Sequence, residues 1–421
     1  MHQPIQPILV KVLLWTAYLI SLYFAVFWFL VLMDKEKMPK LRKLKKYPFV
    51  SIVVPAYNEG KNIIATLESL TKLNYQKNKL EIIVVNDGST DNTNDIVADF
   101  IDKNRYSNIK LINKKNGGKG SALNDGLAIA KGEFFVCLDA DSIVTKDALV
   151  KILPHFTEES IAVVLPLLKV AKPKNLWQKM QWLEYIINLF YKRLISRLNC
   201  VHVAPGPFSV YRRDVLKRIG GFDENNITED LEITLRLQSK NYKIVQLLDA
   251  EVFTLAPKTF KELYKQRKRW YKGSILNAFK YKYMIFNKKY GDFGIMQMPT
   301  IIISGLIAII LVISSLYYGL KPYIKTLYNS IFIDFDFYTL IKAFKFDFSL
   351  LDLDYMTLLV AIITLCISIL VIRKSHAAAK EKPSKYGTLA LVSYLFFYFF
   401  VIGLIWIGIV IDFARGKKQK W

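Results

Sequence analysis

The hydrophobic pattern divides the chain into membrane-length runs around a stretch of short alternating segments. Ile8 to Met33 carries a single charge, Lys11, and at 1.5 Å per residue such a helix crosses a hydrocarbon core of about 30 Å. Ile295 to Tyr318, Met356 to Ile372 and Leu389 to Ile411 are further runs of spanning or nearly spanning length. From Phe49 to about Asn287 the pattern changes. FVSIVVP, LEIIVV, NIKLI, EFFVCLD and SIAVVLP read as strands, and their continuous Val and Ile content is that of strands buried on both faces. Between them GKNIIATLESLTKL, TDNTNDIVADFIDK and GKGSALNDGLAIAK have helical periodicity. This βαβ alternation predicts an α/β domain with a mostly parallel, doubly wound sheet, whose ligands bind where the strands end.

Charge gives the pattern a direction. Directly after the first run, DKEKMPKLRKLKKYP crowds Lys35, Lys37, Lys40, Arg42, Lys43, Lys45 and Lys46 onto one side of it. A secretory signal would carry its positive charges ahead of the apolar run and small residues at a cleavage site. The observed order predicts a membrane anchor with its C-terminal end in the cytoplasm. Arg373, Lys374, Lys380, Lys382 and Lys385 mark the loop before the last run as cytoplasmic too. The expected organisation is an anchor (1–33), a basic linker (34–48), a cytoplasmic α/β domain (49–292) and a C-terminal membrane block (293–421). One conflict follows: three crossings after a cytoplasmic domain would leave the basic tail RGKKQKW outside. Either the tail is an exception, or the Phe-rich stretch Ile331 to Leu351 dips into the bilayer, or one run is a hairpin.

The composition fits this division. There are 59 Lys and Arg against 35 Asp and Glu, a formal charge of +24, yet 52% of residues are hydrophobic and 14% aromatic, with a mean hydropathy of +0.22. Such a chain is neither disordered nor, with three cysteines, a disulfide-stapled domain or a four-ligand zinc protein. A charge of +24 would suit nucleic acid. The basic residues cluster beside apolar runs and on aromatic-rich segments, however, so anionic membrane lipid is the expected partner and nucleic acid is not.

The candidate chemistry lies at the strand ends. VVPAYNEG puts Tyr57, Asn58 and Glu59 on the first loop, where Tyr57 suits stacking on a base and Asn58 equally suits a helix cap. VVNDGSTD puts Asp87 at the tip of a turn, a place where carboxylates bind ribose hydroxyls or a base imide. KKNGGKGSALNDGL offers backbone N–H groups and Lys119 to a phosphate, though it lacks the GxxxxGK[ST] of a P-loop. LDADS carries Asp139 and Asp141 straight off a buried strand. On an extended chain the two share a side, and such a pair suits Mg²⁺ or Mn²⁺ unless it is simply a solvated acidic turn. In TED, Thr228 could be an ordinary N-cap with Glu229 and Asp230 answering the helix dipole. FKELYKQRKRWYKG reads as a basic amphipathic helix at a membrane surface, which leaves unexplained why Gln266, Arg269 and Trp270 share one turn.

Taken in order, PAYNE, NDGSTD, GGKGSALN, DAD, GPF, TED and QRKRW, set between an anchor and a membrane block, resemble the membrane-bound processive family 2 glycosyltransferases. These are the synthases of cellulose, chitin, hyaluronan and poly-N-acetylglucosamine, and the pattern is most similar to the poly-β-1,6-N-acetylglucosamine and chitin-oligosaccharide synthases. The resemblance implies a GT-A fold and a UDP-sugar donor lying over the strand ends. Tyr57 and Glu59 would border the uridine, Asp87 would contact uracil or ribose, and Lys119 would lie near the diphosphate. Asp139 would meet the nucleotide and, with Asp141, a Mg²⁺ or Mn²⁺ ion. Asp230 would be the general base, with Glu229 beside it on the acceptor side. Gln266, Arg269 and Trp270 match QxxRW, in which the Arg meets the leaving diphosphate while Gln and Trp serve the acceptor. Gly206, in the looser GPF match, would lie near the donor and acceptor sugars. PKNLWQKMQWLEYIINLFYKRLISRL becomes an expected interface helix.

The implied activity is inverting transfer of a sugar, GlcNAc first among the candidates, to a growing polysaccharide at the plasma membrane. The rival is a non-processive enzyme that glycosylates a lipid, since ceramide glucosyltransferases share the acids and QxxRW. Polyprenyl-phosphate sugar transferases generally lack QxxRW, and an accessory membrane subunit stays open.

Overall fold

The computed structural model describes residues 8–33, 46–104, 107–330 and 355–416. Most of the basic linker, the Phe-rich stretch and the end of the tail lie outside the described residues. After helix α1 (Ile8–Met33), the domain opens with β1 (Val50–Ala56), α2 (Ile63–Thr71), β2 (Leu80–Asp87), α3 (Thr93–Asn104), β3 (Ile109–Lys114), α4 (Lys119–Ile129) and β4 (Phe134–Cys137). It continues with β5 (Ile143–Val144), α5 (Ala148–Ile152), β6 (Ile161–Val170) and the long helix α6 (Leu176–Arg197). Then come β7 (Ser209–Arg212), α7 (Arg213–Arg218), α8 (Glu229–Ser239), β8 (Lys243–Thr254) and α9 (Phe260–Lys280). A π-helical turn, Phe293–Gln297, leads into α10 (Met298–Ser330), followed by α11 (Tyr355–Ala378) and α12 (Thr388–Ala414).

The strands form an eight-stranded sheet in the order β3-β2-β1-β4-β7-β6-β8-β5. β3, β2, β1 and β4 are parallel neighbours, as are β6 and β8, whereas β7 and β5 pair antiparallel. The expected α/β, mostly parallel sheet is therefore present. Its strands read as continuous apolar runs because both faces are covered: Ile52 and Val54 join one buried cluster with α2 and α6, while Val53 joins another with α4. Pro55 is tolerated in a central strand because β1 pairs with β4 only as far as Val53. Pro166 sits at a register shift in β6. The sequence reading missed β5, β7 and β8. The first two have 2 and 4 residues, and β8 is interrupted by Asp249 and Glu251, which blur its alternation.

Both expected amphipathic helices form. α6 turns Trp182, Leu183 and Ile186 into the sheet's core, and with α9 it forms a bed for the last apolar helix, through Met180, Leu263, Tyr398, Ile405 and Ile409. Three described helices are long and apolar enough to cross a membrane, over Phe293–Ser314, Leu358–Ala378 and Thr388–Ala414. α12 is fastened to the domain near both ends. Ahead of it, buried Lys169 of β6 donates to Glu251 at 2.7 Å, the Ala379 carbonyl at 3.0 Å and Glu381 at 3.3 Å. Near its end, Asp412 pairs with Lys268 of α9 at 2.9 Å, and Trp406 stacks on Tyr271 with centroids 5.2 Å apart.

The closeness of α4 to the sheet depends on Gly126, where a Cβ would collide with the Val53 side chain. Gly126→Val is expected to destabilise the domain by about 1–3 kcal/mol, the usual cost of overpacking. A lowered thermal midpoint checks this, and an unchanged one contradicts it.

Candidate active site

The C-terminal ends of the parallel strands β1, β2 and β4 carry the loops with Tyr57, Asp87 and Asp139. The first two loops are laced together. Asn58 adopts φ 56°, in the left-handed region that Asn tolerates better than most residues. Its Oδ1 accepts from Thr90 N at 2.8 Å and Asp91 N at 3.3 Å, and its own N–H donates to Ser89 Oγ at 3.0 Å. Asn58 is thus a brace between loops, and the N-cap of α2 is Asn62. Tyr57, beside this brace, is 49% exposed.

Asp87 is buried and does local work. Its carboxylate accepts from Gly117 N at 2.9 Å, Gly118 N at 2.8 Å and Lys114 Nζ at 3.1 Å, which holds the glycine loop at the start of α4. Gly88 permits this approach: φ is 71°, and a Cβ there would meet Asn116 N at 2.6 Å. Lys114 was missed by the sequence reading. Its signal was the Lys-Lys pair just ahead of the two glycines.

Asp139 and Asp141 converge differently from expectation. Residues 140 and 141 form a turn closed by Ser142 N donating to Asp139 O at 3.1 Å, so the acids meet across a turn and not along an extended chain. Asp139 Oδ1 lies 2.5 Å from Lys119 Nζ, and Glu229 Oε1 lies 3.5 Å from the same ammonium. Burial alone would lower the Lys119 pKa, but Asp139, Glu229 and Asp230 together drive it well above the ordinary lysine range. Gly206 is packed onto this pair, and any side chain there would collide with Lys119 and Asp139. Its carbonyl accepts from Cys137 Sγ at 3.2 Å. Two residues on, Phe208 is fully buried at φ 61°, a strained conformation for a bulky residue and one typical of functional turns.

The carboxylates are crowded. Burial, then the charges of Asp139 and Glu59, push Asp141 up to about 6. Burial also raises Glu59, with Asn62 opposing and Asp139 adding. Among the described residues no ready-made cluster of three or more His, Cys, Asp or Glu groups could hold a metal ion. The donor set of Asp139 and Asp141 still fits a hard divalent cation of the kind that takes one or two carboxylates and completes its shell with phosphate oxygens and water. Such an ion would relieve the repulsion that raises Asp141.

TED starts α8 without the expected cap, since the Thr228 side chain makes no capping hydrogen bond. Thr228 Oγ1 instead accepts from Asn277 Nδ2 at 3.0 Å. Gly273 of α9 packs so closely on Thr228 that a Cβ would collide. Glu229 is 2% exposed; burial raises its pKa to about 7, with Lys119 opposing and Asp230 adding. Asp230, half-buried, accepts from Leu231 N at 2.9 Å through Oδ1. Arg269 reaches from α9 toward the carbonyl of Ile227, at 3.5 Å, just ahead of TED. Lys119, Asp139, Gly206, Glu229, Asp230 and Arg269 therefore come together, and Glu59 and Asp141 join them through Asp139. Gln266 and Trp270 are held through another residue, Arg267, which the sequence reading left without a role.

The fold has relatives among known proteins. Residues 51–220 match the model of "Glycosyl transferase family 2". Among curated relatives, the chain is 33% identical over 227 residues to the poly-beta-1,6-N-acetyl-D-glucosamine synthase of Staphylococcus epidermidis, covering 53% of this chain and 54% of that protein. It is 31% identical over 248 residues to the beta-monoglucosyldiacylglycerol synthase of a Nostoc species, covering 58% and 53%. The match thus spans about half the length of these relatives. Among solved structures, the mannosyltransferase PcManGT from Pyrobaculum calidifontis, in complex with GDP-Man and Mn2+, superposes with a TM-score of 0.63 at 17% identity, covering 97% of this chain and 99% of that one. It shares the GT-A fold.

A carboxyl raised by folding stabilises the native state below its unfolded pKa and loses that contribution as pH rises through its folded value. For Glu229 the window runs from about 4.5 to about 7. Across it the ligand-free protein is expected to lose up to about 1.4 kcal/mol per pH unit from this group. Glu229→Gln should flatten that slope in thermal melts, and an identical slope in the variant would remove the assignment.

Proposed function

We propose that the protein transfers a sugar from a UDP-sugar to an acceptor hydroxyl at the membrane, with inversion, and extends a β-linked polysaccharide processively. GlcNAc is the first candidate sugar. The observation that carries this reading is the meeting of Asp139, Glu229 and Asp230 around Lys119 at the strand ends, with the QRKRW helix fastened to TED by Gly273, Asn277 and Arg269. A named poly-GlcNAc synthase among the relatives supports the polymer. The glycolipid synthase among them supports the second reading, single transfer to a lipid.

In this reading Tyr57 and Glu59 border the uridine. Asp87 acts by holding the glycine loop that shapes the nucleotide site. The acceptor hydroxyl oxygen attacks C1 of the donor sugar as the bond from C1 to the diphosphate oxygen breaks. Asp230 takes the hydroxyl proton, a role in which a positioned carboxylate contributes about 10²- to 10⁴-fold. Lys119 and Arg269 supply positive charge to the departing diphosphate. When bound by Asp139 and Asp141, Mg²⁺ or Mn²⁺ would neutralise further charge on the same oxygens. Gln266, Trp270, Gly206 and Glu229 line the acceptor side.

The same proposal assigns residues 1–33 to an anchor, 34–48 to a basic linker on anionic lipid, 49–292 to a cytoplasmic catalytic domain and 293–421 to a membrane block in the plasma membrane. The pairing of Asp412 with Lys268 at 2.9 Å favours a tail on the catalytic side, in keeping with the positive-inside rule; with Lys169 holding Glu381 ahead of it, α12 then begins and ends on that side. A cysteine at position 415 should then react with an impermeant maleimide from the face that exposes the catalytic domain. Labelling from the other face would refute that placement.

The decisive assay is the full chain in lipid nanodiscs with UDP-GlcNAc, UDP-glucose or UDP-glucuronate and Mg²⁺ or Mn²⁺, read as UDP release and product size. A polymer is expected; a single sugar on a lipid would select the second reading, and no UDP release with any donor would sink both. Asp230→Asn is expected to keep UDP and metal binding while transfer falls by about 10²-fold or more. Asp141→Ala should weaken UDP binding in Mn²⁺ but not in its absence, and equal affinity under both conditions would remove Asp141 from the metal site.

A further inference from the structure

Between the strand-end acids and the apolar helices lies a buried cation to which the family resemblance assigns nothing. Arg267, inside QRKRW, is 1% exposed. Its Nη2 donates to Glu184 Oε2 at 2.5 Å and its Nε to Glu184 Oε1 at 3.3 Å. The remaining arm, Nη1, donates to Gln266 Oε1 at 2.5 Å. The guanidinium carbon lies over the Trp270 ring, 4.2 Å from its centroid, and 5.7 Å from that of Tyr185. Glu184 in turn accepts from the Tyr398 hydroxyl of α12 at 2.7 Å. One cation thus touches both acceptor-side residues of its motif and, through one carboxylate, the last apolar helix.

Each contact limits what its neighbour can do. Arginine has donors only, so Gln266 must turn its carbonyl oxygen to Arg267, which leaves its amide N–H groups for a ligand. An indole offers two faces, and the guanidinium covers one of those of Trp270. The other is the face a sugar ring can stack on. A buried ion pair is poor value as mere stabilisation, because apolar residues of similar size often serve as well. Its geometric effect is what apolar residues do not reproduce.

We propose that Arg267, oriented by Glu184 and Tyr398, is the positioning residue of the acceptor side: it sets the amide direction of Gln266 and the tilt of Trp270, and so ties the acceptor platform to α12. This rests on the reading of Gln266 and Trp270 as acceptor-binding groups. Arg267→Ala alone would strand the Glu184 charge in the core, so the informative variants are Tyr398→Phe and the paired Glu184→Met with Arg267→Met.

Both would be studied as the full chain in nanodiscs, with Trp residues labelled as 5-fluorotryptophan and the Trp270 resonance assigned by its loss in Trp270→Phe. Expected are a displaced or broadened Trp270 signal, an acceptor KM raised about tenfold in the paired variant and less in Tyr398→Phe, and shorter product, as for a misoriented binding group. Donor-only UDP release should stay within about twofold, since neither variant alters a group placed on the nucleotide. A folded paired variant with wild-type acceptor KM and product length overturns the proposal, as does an equal fall in donor-only release and transfer. If the wild-type chain transfers no sugar, the functional reading has failed, and the fluorine signal still decides this one: an undisplaced Trp270 resonance refutes it.

Discussion

Like charges gathered at the ends of parallel strands need a cation, and the architecture of the domain follows from supplying one. Asp139, Glu229 and Asp230 arrive from a turn after β4 and from the first residues of α8, and Lys119 comes from the start of α4. The acids repel one another in a half-buried setting, where the effective dielectric is low. Lys119 offsets that repulsion in the ligand-free protein. The glycine loop ahead of Lys119 is clamped by Asp87, so a carboxylate on β2 indirectly fixes the ammonium that holds the carboxylate beyond β4. Gly206 completes the arrangement, since a Cβ there would press on the Lys119 ammonium and the Asp139 carboxylate.

The second organising contact lies on the membrane side. α6 and α9 are amphipathic, with one face in the domain and the other under α12. Arg267, Glu184 and Tyr398 cross that seam through the interior, while Lys268 and Asp412 cross it nearer the end of α12. Tight approaches at Gly408 to Tyr264, Gly305 to Trp406 and Gly403 to Val312 bring the apolar helices close to one another and to α9, as small residues do between helices in lipid. The α/β domain and the apolar helices are thereby joined at the QRKRW segment of α9.

Much of this was legible beforehand because it depends on local pattern. The central strands and their loops follow from apolar periodicity and turn residues, and the spacing of the acids placed them at strand ends. Other readings failed for tertiary reasons. Asp139 and Asp141 were expected to share one side of an extended chain, yet Ser142 closes a turn on Asp139. Thr228 does stand at the N-cap position, but its hydroxyl accepts from Asn277 of α9 and makes no capping bond. β8 was missed because Asp249 and Glu251 interrupt its apolar alternation, and its pairing with β6 is what makes it a strand.

By itself the sequence determined where the membrane-seeking runs lie, that a mostly parallel α/β domain lies between them, and which side chains stand at its strand ends. These depend on periodicities of two and 3.6 residues and on charge order, which are properties of neighbours along the chain. Only the tertiary structure decided which acid Lys119 neutralises, that Asp87 braces a loop, and that Arg267 holds Gln266 and Trp270. Those outcomes depend on distances between residues far apart in sequence, where burial makes each charge costly unless a partner arrives from another element.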